Sequence, residues 1–335
     1  MWYYAADPTP ENRKSAHTCV ALSEDGIYWT GHGVILPQSL DASSVHLDPV
    51  RRKYVASIKL WFKGRRYRGY AESDDFLHWS DTYLMMDVDE LDAFGDQIYA
   101  MKIFRYESLV LGLVKIYHVE TTDTCDTHLA VSHNGTHWER PFRPAPGPKF
   151  ATPEKDLLDY SDEHTQPFIP TGPLGAWDFG NNDTTATPPI REGDELRFYY
   201  SGRSHSHNGG FPDRGAEPFR HRGSIGLAAL RVDGFVSADA DGSGGWLLTK
   251  PLQLEGTELF VNAEASAGSL RTEILDEQSR PIAPFTLSNA RPVRSDSVRN
   301  PCCWEGAKDI SALTGKTVRL KFHLIRASMY AFWCE

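Results

Sequence analysis

The sequence predicts an all-β protein: a β-propeller over residues 1–240, followed by a β-sandwich over 241–335. Three observations carry that expectation. Apolar residues alternate with a two-residue period over runs of strand length. Amphipathic helical stretches are scarce, and the best of them, around Pro153 to Tyr160, is too short to organise a domain. One hairpin motif recurs at spacings that suit four-stranded blades.

The alternation is clearest where Val318, Leu320, Phe322 and Leu324 are separated by Arg319, Lys321 and His323, the pattern of a strand buried on one face. Lys53 to Ile58 and Leu196 to Tyr200 are β-branched or aromatic runs of strand length. The recurring motif is a strand followed by Ser-x-Asp/Asn-Gly-x-x-Trp. It occurs at Ser23 to Trp29, at Ser73 to Trp79 with Phe76 in the glycine position, and at Ser132 to Trp138. Val232-Asp233-Gly234-Phe235 closes a degenerate fourth copy. In such a hairpin the Asp or Asn bonds the turn backbone, the glycine supplies a positive φ, and the tryptophan packs under the turn. Trp29 and Trp79 are 50 residues apart and Trp79 and Trp138 are 59 apart, which fits blades with variable loops.

On that spacing one blade runs through 43–49, 53–61, 66–73 and 79–86. The next starts near Gln97, continues through 109–119 and closes with the hairpin at 127–138. The blade after that starts near Asn181, includes 195–201 and ends at 224–236. Before them come only two or three strands, at residues 2–4 and 18–36. About three and a half blades are countable, fewer than a closed ring needs, which leaves open an N-terminal part beyond this chain. Asp241 to Gly245 reads as a linker. The runs after it, at 246–254, 258–265, 269–275, 298–304, 318–324 and 329–333, have the spacing of a sandwich.

Composition narrows the function. With 335 residues, 40% hydrophobic and 12% aromatic, the chain can fill a sizeable core. A net charge of −10 argues against sequence-independent nucleic-acid binding, which needs a basic face. No apolar run approaches the ~20 residues of a membrane-spanning helix, so no membrane partner is expected. Met1-Trp2-Tyr3-Tyr4 lacks the basic and apolar regions of a signal peptide. A cytoplasmic location is therefore expected, with secretion or the periplasm as the alternative if a segment precedes this chain. Cys19, Cys125, Cys302, Cys303 and Cys334 are odd in number and lack zinc-ligand spacing, so reduced thiols are expected.

In a propeller the innermost strands line a central channel, and their ends form a funnel at one face. Asp41, Asp96 and Asp178 each precede the first strand of consecutive blades, so they are the expected catalytic set. Cleavage of a glycosidic bond needs one carboxylic acid to protonate the leaving oxygen and one carboxylate as nucleophile or as base for water. A third acid raises the proton donor's pKa by like-charge repulsion. Each of these aspartates could equally cap a turn. His46, Tyr99, Asp126, Trp177, Asp183, Arg203 and His205 are the expected substrate-binding residues. Asp126 sits in Asp123-Thr124-Cys125-Asp126-Thr127-His128, near the channel or at the outer rim. His205, His207 and His221 frame a long Gly-, Pro- and Arg-rich loop over 204–223. Two histidines two residues apart can ligate a metal on a strand, but nothing near them completes a site, so no metal and no cofactor are expected. No Gly-x-Ser-x-Gly, Walker-type loop or dinucleotide fingerprint is present.

The repeated Ala-x-Ser-x-Asp-x-x-x-Trp hairpin, an acid before each blade and a trailing sandwich resemble glycoside hydrolases of the five-bladed propeller superfamily, families 32 and 43. Tyr70 to Trp79, Ile225 to Ser237 and Ser311 to Leu320 resemble a bacterial group labelled family 32 N-terminal-like. The resemblance implies a glycosidase acting on an oligo- or polysaccharide. In that superfamily the nucleophile or base is usually an Asp of the first blade, which the resemblance is expected to place ahead of Met1, and the donor is usually a Glu of a later blade, for which no Glu stands in the matching place. Here Asp178 and Asp183 are the acids nearest the donor's place. The expected reaction is hydrolysis of a glycosidic bond, with a furanoside as one candidate substrate. Asp41 would be base or nucleophile, Asp96 would position the sugar or tune the donor, and Asp178 would donate the proton. A non-catalytic carbohydrate-binding propeller is the alternative. A sugar phosphorylase is a further one, and would need Arg, Lys or His converging on phosphate. An oligomer is compatible with the sandwich.

Overall fold

The computed structural model describes residues 1–6, 16–36, 39–142, 166–209 and 223–335. The stretch from Pro153 to Tyr160 and most of the 204–223 loop, His221 included, lie outside the described residues. The chain divides into two compact units, Met1–Ile190 with Phe198–Ala228, and Arg191–Arg197 with Ala229–Glu335.

The first unit is built from antiparallel meanders, the up-and-down pattern of propeller blades. Strands β1 (Trp2–Ala6), β2 (Ala16–Leu22) and β3 (Thr30–Leu36) form a three-stranded sheet in chain order. The second blade runs β4 (Ser44–Asp48), β5 (Lys53–Phe62), β6 (Arg65–Ser73) and β7 (Tyr83–Met86), again in chain order. The third runs β8 (Asp96–Tyr106), β9 (Leu109–His118) and β10 (Cys125–Ser132). After β11 (Asn181–Thr184) and β12 (Ile190–Glu192) come β13 (Glu195–Arg203) and β14 (Gly223–Arg231). Strand β13 lies between β11 and β14. A single parallel pair, Cys125 with Asn181, links β11 to the third blade.

The repeated hairpins form as their chemistry dictates. In each copy the serine Oγ accepts from the backbone amide three residues on, at 2.8 Å for Ser23 and 2.9 Å for Ser73 and Ser132. The Asp25, Asp75 and Asn134 side chains accept from the next two turn amides. The left-handed position falls to Gly26 (φ 75°), Phe76 (φ 71°) and Gly135 (φ 78°). Phe76 is not a glycine, and its ring packs on Trp2, Tyr54 and Trp79, contacts that offset the strain of that φ. In the degenerate copy Asp233 (φ 59°), not Gly234, takes the left-handed position.

The second unit is a sandwich. Strands β15 (Ala238–Ala240), β16 (Gly245–Leu248), β17 (Leu252–Gln253), β18 (Leu259–Glu264), β19 (Ser269–Leu275), β20 (Asp296–Pro301), β21 (Thr317–Ile325) and β22 (Ala327–Cys334) form two sheets. One is ordered β15-β22-β18-β20; in the other β21 is flanked by β16, β17 and β19. Val261, Ala263 and Met329 of the first sheet share a core with Leu270, Ile274, Leu320 and Phe322 of the second. The alternation of Val318 to Leu324 is what aims that face inward. The one helical turn among the described residues is the 3-10 turn at Ser311–Leu313, and none of their helices is long and apolar enough to cross a membrane.

Candidate functional site

Strand period places two sets of polar side chains on opposite faces of the third blade. Asp96 pairs with His118, Ile98 and Asp126 with Ile116, and His128 with Val114, so these residues share one face. That face continues into an apolar cluster of Ile98, Met101, Ile103, Val114, Ile116 and Ala130. Gln97 and Cys125 pair with Tyr117, Ala100 and Thr127 with Lys115, and Lys102 with Leu113, on the other face. Tyr99 is the extra residue of a β-bulge between Ile98 and Ala100.

The second face carries the candidate site, centred on the Tyr99 ring. Three cations lie over that ring: Lys59 Nζ at 4.3 Å, Lys115 Nζ at 5.1 Å and the Arg66 guanidinium at 5.2 Å. Lys59 is ion-paired with Asp41. Lys115 is 3.4 Å and Lys102 3.9 Å from Asp183. The carboxylates reach solvent, Asp41 with 51% and Asp183 with 29% of its side chain exposed, whereas the lysine side chains are tucked in, at 5% for Lys59 and 8% for Lys115. Burial lowers the pKa of Lys59 and Lys102 against the pull of Asp41 and Asp183, and burial with Asp41 raises that of Tyr99.

Beneath them Arg68 is fully buried and donates to Ser57 O at 2.6 Å, Ser57 Oγ at 2.8 Å, Ala42 O and Tyr99 O. Burial pulls its guanidinium down to about 9. Arg66 Nη1 donates to Gln97 Oε1 at 2.7 Å and stacks 4.8 Å over the exposed Trp61, while its buried Nε has no partner. Tyr117 and His207 close the rim at 4.5 Å between rings, and Tyr117 OH and Asn208 both donate to Asp123. Burial and the nearby Lys115 and Arg66 lower the pKa of His207.

On the apolar face, His118 Nδ1 is 2.8 Å from Asp96 Oδ1. The Nε2 atoms of His118 and His128 lie 3.2 and 2.7 Å from the same oxygen, Asp126 Oδ1. Burial opposes charge on His118, but Asp126 and Asp96 outweigh it and raise its pKa; burial likewise opposes the Asp126 carboxylate, and the two histidines hold it low. Three ligand-bearing side chains thus converge in a buried place.

The remaining expected residues fall elsewhere in the first unit. Asp178 accepts from Tyr200 OH at 3.0 Å, and Trp177 stacks on Tyr200 at 5.6 Å. Burial and the Asp178 bond push the Tyr200 phenol up to about 12. Gly202 and Gly226 are required there, because a side chain on either would strike Trp177. His46 lies on β4, and burial takes it down to about 4 although Asp48 opposes that. Asp48 itself is 3.2 Å from Arg105. Arg203 is exposed and its backbone pairs with Asn181; the His205 carbonyl sits against Gly180. The structure therefore groups Asp41, Tyr99 and Asp183; Asp96 and Asp126; and Trp177 with Asp178.

The residues the sequence reading missed are Lys59, Arg66, Arg68, Lys102, Lys115, His118 and His128. A signal existed for the first and last of the lysines: Ile58-Lys59-Leu60 and Val114-Lys115-Ile116 set a lysine inside an apolar run, where burial demands a partner. The second unit has a groove of about 620 Å³ lined by Trp246, Arg271, Arg294 and His323, with no acid among its lining residues, so it lacks the carboxylates that glycosidic cleavage needs.

No protein-family model matches the chain, so membership of family 32 or 43 is not shown. No curated protein matches it either. Among solved structures it is similar to an N-acetylgalactosamine deacetylase from F. plautii in complex with blood group B trisaccharide, at 14% identity and TM-score 0.49, over 70% of this chain and 69% of that one. It is similar to a β-1,2-mannobiose phosphorylase from Listeria innocua at 14% and 0.42, over 66% of this chain and 52% of that one, so it spans about half the phosphorylase's length. With a sucrose-6-phosphate hydrolase from Lactobacillus gasseri the values are 12% and 0.35, over 95% and 75%.

Proposed function

We propose that the chain acts on carbohydrate, cleaving a glycosidic bond at the Tyr99 site with Asp41 and Asp183 as the reacting carboxylates. The observation that supports this reading is convergence. Asp41 precedes the second blade and Asp183 follows the third, yet each is paired with a lysine that lies over the same ring. One carboxylate serves as nucleophile or as base for water; the other protonates the leaving oxygen once substrate displaces its lysine. Exposed Trp61 offers an apolar face for a sugar ring. Asp178 remains a candidate for proton donation, whereas Asp96 lies buried on the opposite face of the third blade, against His118.

The test is turnover of a panel of aryl furanosides and pyranosides by Asp41→Asn, Asp183→Asn, Asp96→Asn and Asp178→Asn. Losses of about 10²–10⁴-fold in the first two are expected. Unchanged turnover in both removes the site, and a wild type that binds saccharide without turning it over favours the non-catalytic reading. One observation favours a second chemistry. Lys59, Arg66 and Lys115 over the ring, Lys102 against Asp183 and Arg68 on the Tyr99 carbonyl outnumber the carboxylates Asp41 and Asp183. That excess suits a substrate bearing a negative charge, or inorganic phosphate as the attacking group. A sugar phosphate formed only when phosphate is supplied would identify phosphorolysis.

A further inference from the structure

We propose that His118, Asp126 and His128 bind one divalent transition-metal ion of the zinc class on the apolar face of the third blade. The backbone prepares the site. Asp126 and His128 are two residues apart on β10 and so project from the same face; His118, at the end of β9, pairs with Asp96 at the start of β8 on that face. Their ligand atoms all lie within 4.8 Å of one another, and all three residues are buried. Four ligands held tetrahedrally at zinc–nitrogen distances are roughly 3.3 Å from each other, so two imidazole nitrogens gathered 2.7 and 3.2 Å from one carboxylate oxygen are spaced as a coordination sphere is.

Two further features point to a cation. The Asp96 carboxylate holds His118 by Nδ1 and turns Nε2 toward Asp126, the outer-sphere arrangement that orients metal-bound imidazoles. His128 is 3% exposed, and its buried Nδ1 makes no hydrogen bond, so the imidazole is held in the cluster through Nε2, the nitrogen turned onto Asp126. Charge balance agrees. Asp96 and Asp126 bring two buried carboxylates to an otherwise apolar cluster, and a divalent ion neutralises both while the histidines stay neutral and free to ligate. Two nitrogens and an oxygen select zinc, cobalt(II) or iron(II) over calcium or magnesium. The fourth position would be filled by water. The proposal does not depend on the carbohydrate reading, which uses the opposite face.

The test uses the full chain, stripped with a chelator and dialysed. Titration with cobalt(II) alone should give one bound equivalent, with visible d–d absorption of a nitrogen- and oxygen-ligated ion, and zinc(II) should displace it. His128→Gln and Asp126→Asn should abolish the absorption, while Asp96→Asn should retain the stoichiometry and weaken affinity about 10–100-fold. Asp183→Asn, on the other face, should bind cobalt as the wild type does. No stoichiometric cobalt binding by the wild-type chain overturns the proposal and leaves a protonated His118 held between two carboxylates as the account of the cluster. Binding that survives both ligand variants overturns it as well. The wild-type titration decides the matter if the variants fail to fold.

Discussion

The two faces of the third blade are made by the same strands, yet they carry charge under opposite conditions. On one face Asp183 and Asp41 reach solvent, and the lysines beside them are covered. On the other, Asp96, His118, Asp126 and His128 are all buried at the end of an apolar cluster. A carboxylate in contact with water can exchange a lysine partner for a substrate at modest cost, because solvent screens the pair. A carboxylate sealed among apolar side chains cannot be left without a partner, since breaking a buried pair costs far more than forming it contributes. The first face is arranged for turnover of partners and the second for permanence. One-residue alternation along β8, β9 and β10 is enough to separate them.

The largest effect expected from that contrast is on catalysis. Asp183→Asn should reduce turnover by about 10²–10⁴-fold, measured as kcat on the preferred aryl glycoside, and a variant within threefold of wild type would show that the exposed face does no chemistry. Asp126→Ala should act on stability instead. It leaves His118 and His128 facing an emptied buried site, and a loss of about 3–5 kcal/mol in urea unfolding is expected; a loss below 1 kcal/mol would mean the buried face is no more demanding than the open one.

Acid should also weaken the fold through His46. Its folded-state pKa, about 4, lies below the ordinary value of 6.5, so the unfolded chain binds the proton first. The stabilisation from keeping this ring neutral is complete above pH 6.5 and is lost as pH falls toward 4, by up to roughly 3 kcal/mol. Denaturation midpoints at pH 7 and pH 5 should differ less in His46→Gln than in the wild type; an equal difference in both would assign the acid sensitivity to other groups. The smallest effect concerns the hairpins. Ser132→Ala removes the hydroxyl that accepts from the Asn134 and Gly135 amides, and about 1 kcal/mol should be lost in thermal unfolding. An unchanged midpoint would show that the Asn134 contacts alone hold the turn.

Much of the architecture was legible in residue order because it rests on local rules. Ser, Asp or Asn and Trp at fixed offsets announce a hairpin, and each copy closes with the same hydrogen bonds. The alternation from Val318 to Leu324 marks a one-sided strand, and that strand is central to the sandwich core. Asp41, Tyr99 and Asp183 were legible as polar or aromatic residues near the starts of innermost strands. Their shared cations were not, because the apolar runs around Lys59 and Lys115 signal a buried lysine that needs a partner but not which acid or ring it meets. What the linear order determined is which segments are strands, where turns fall and which side chains share a face, since φ preferences, turn chemistry and the two-residue period act over a few residues. What only the tertiary structure decided is which faces meet. Lys59 joins Tyr99, Asp183 joins Lys115, and His118 joins Asp126 through register between strands and packing between sheets, and those pairings depend on the whole chain closing upon itself.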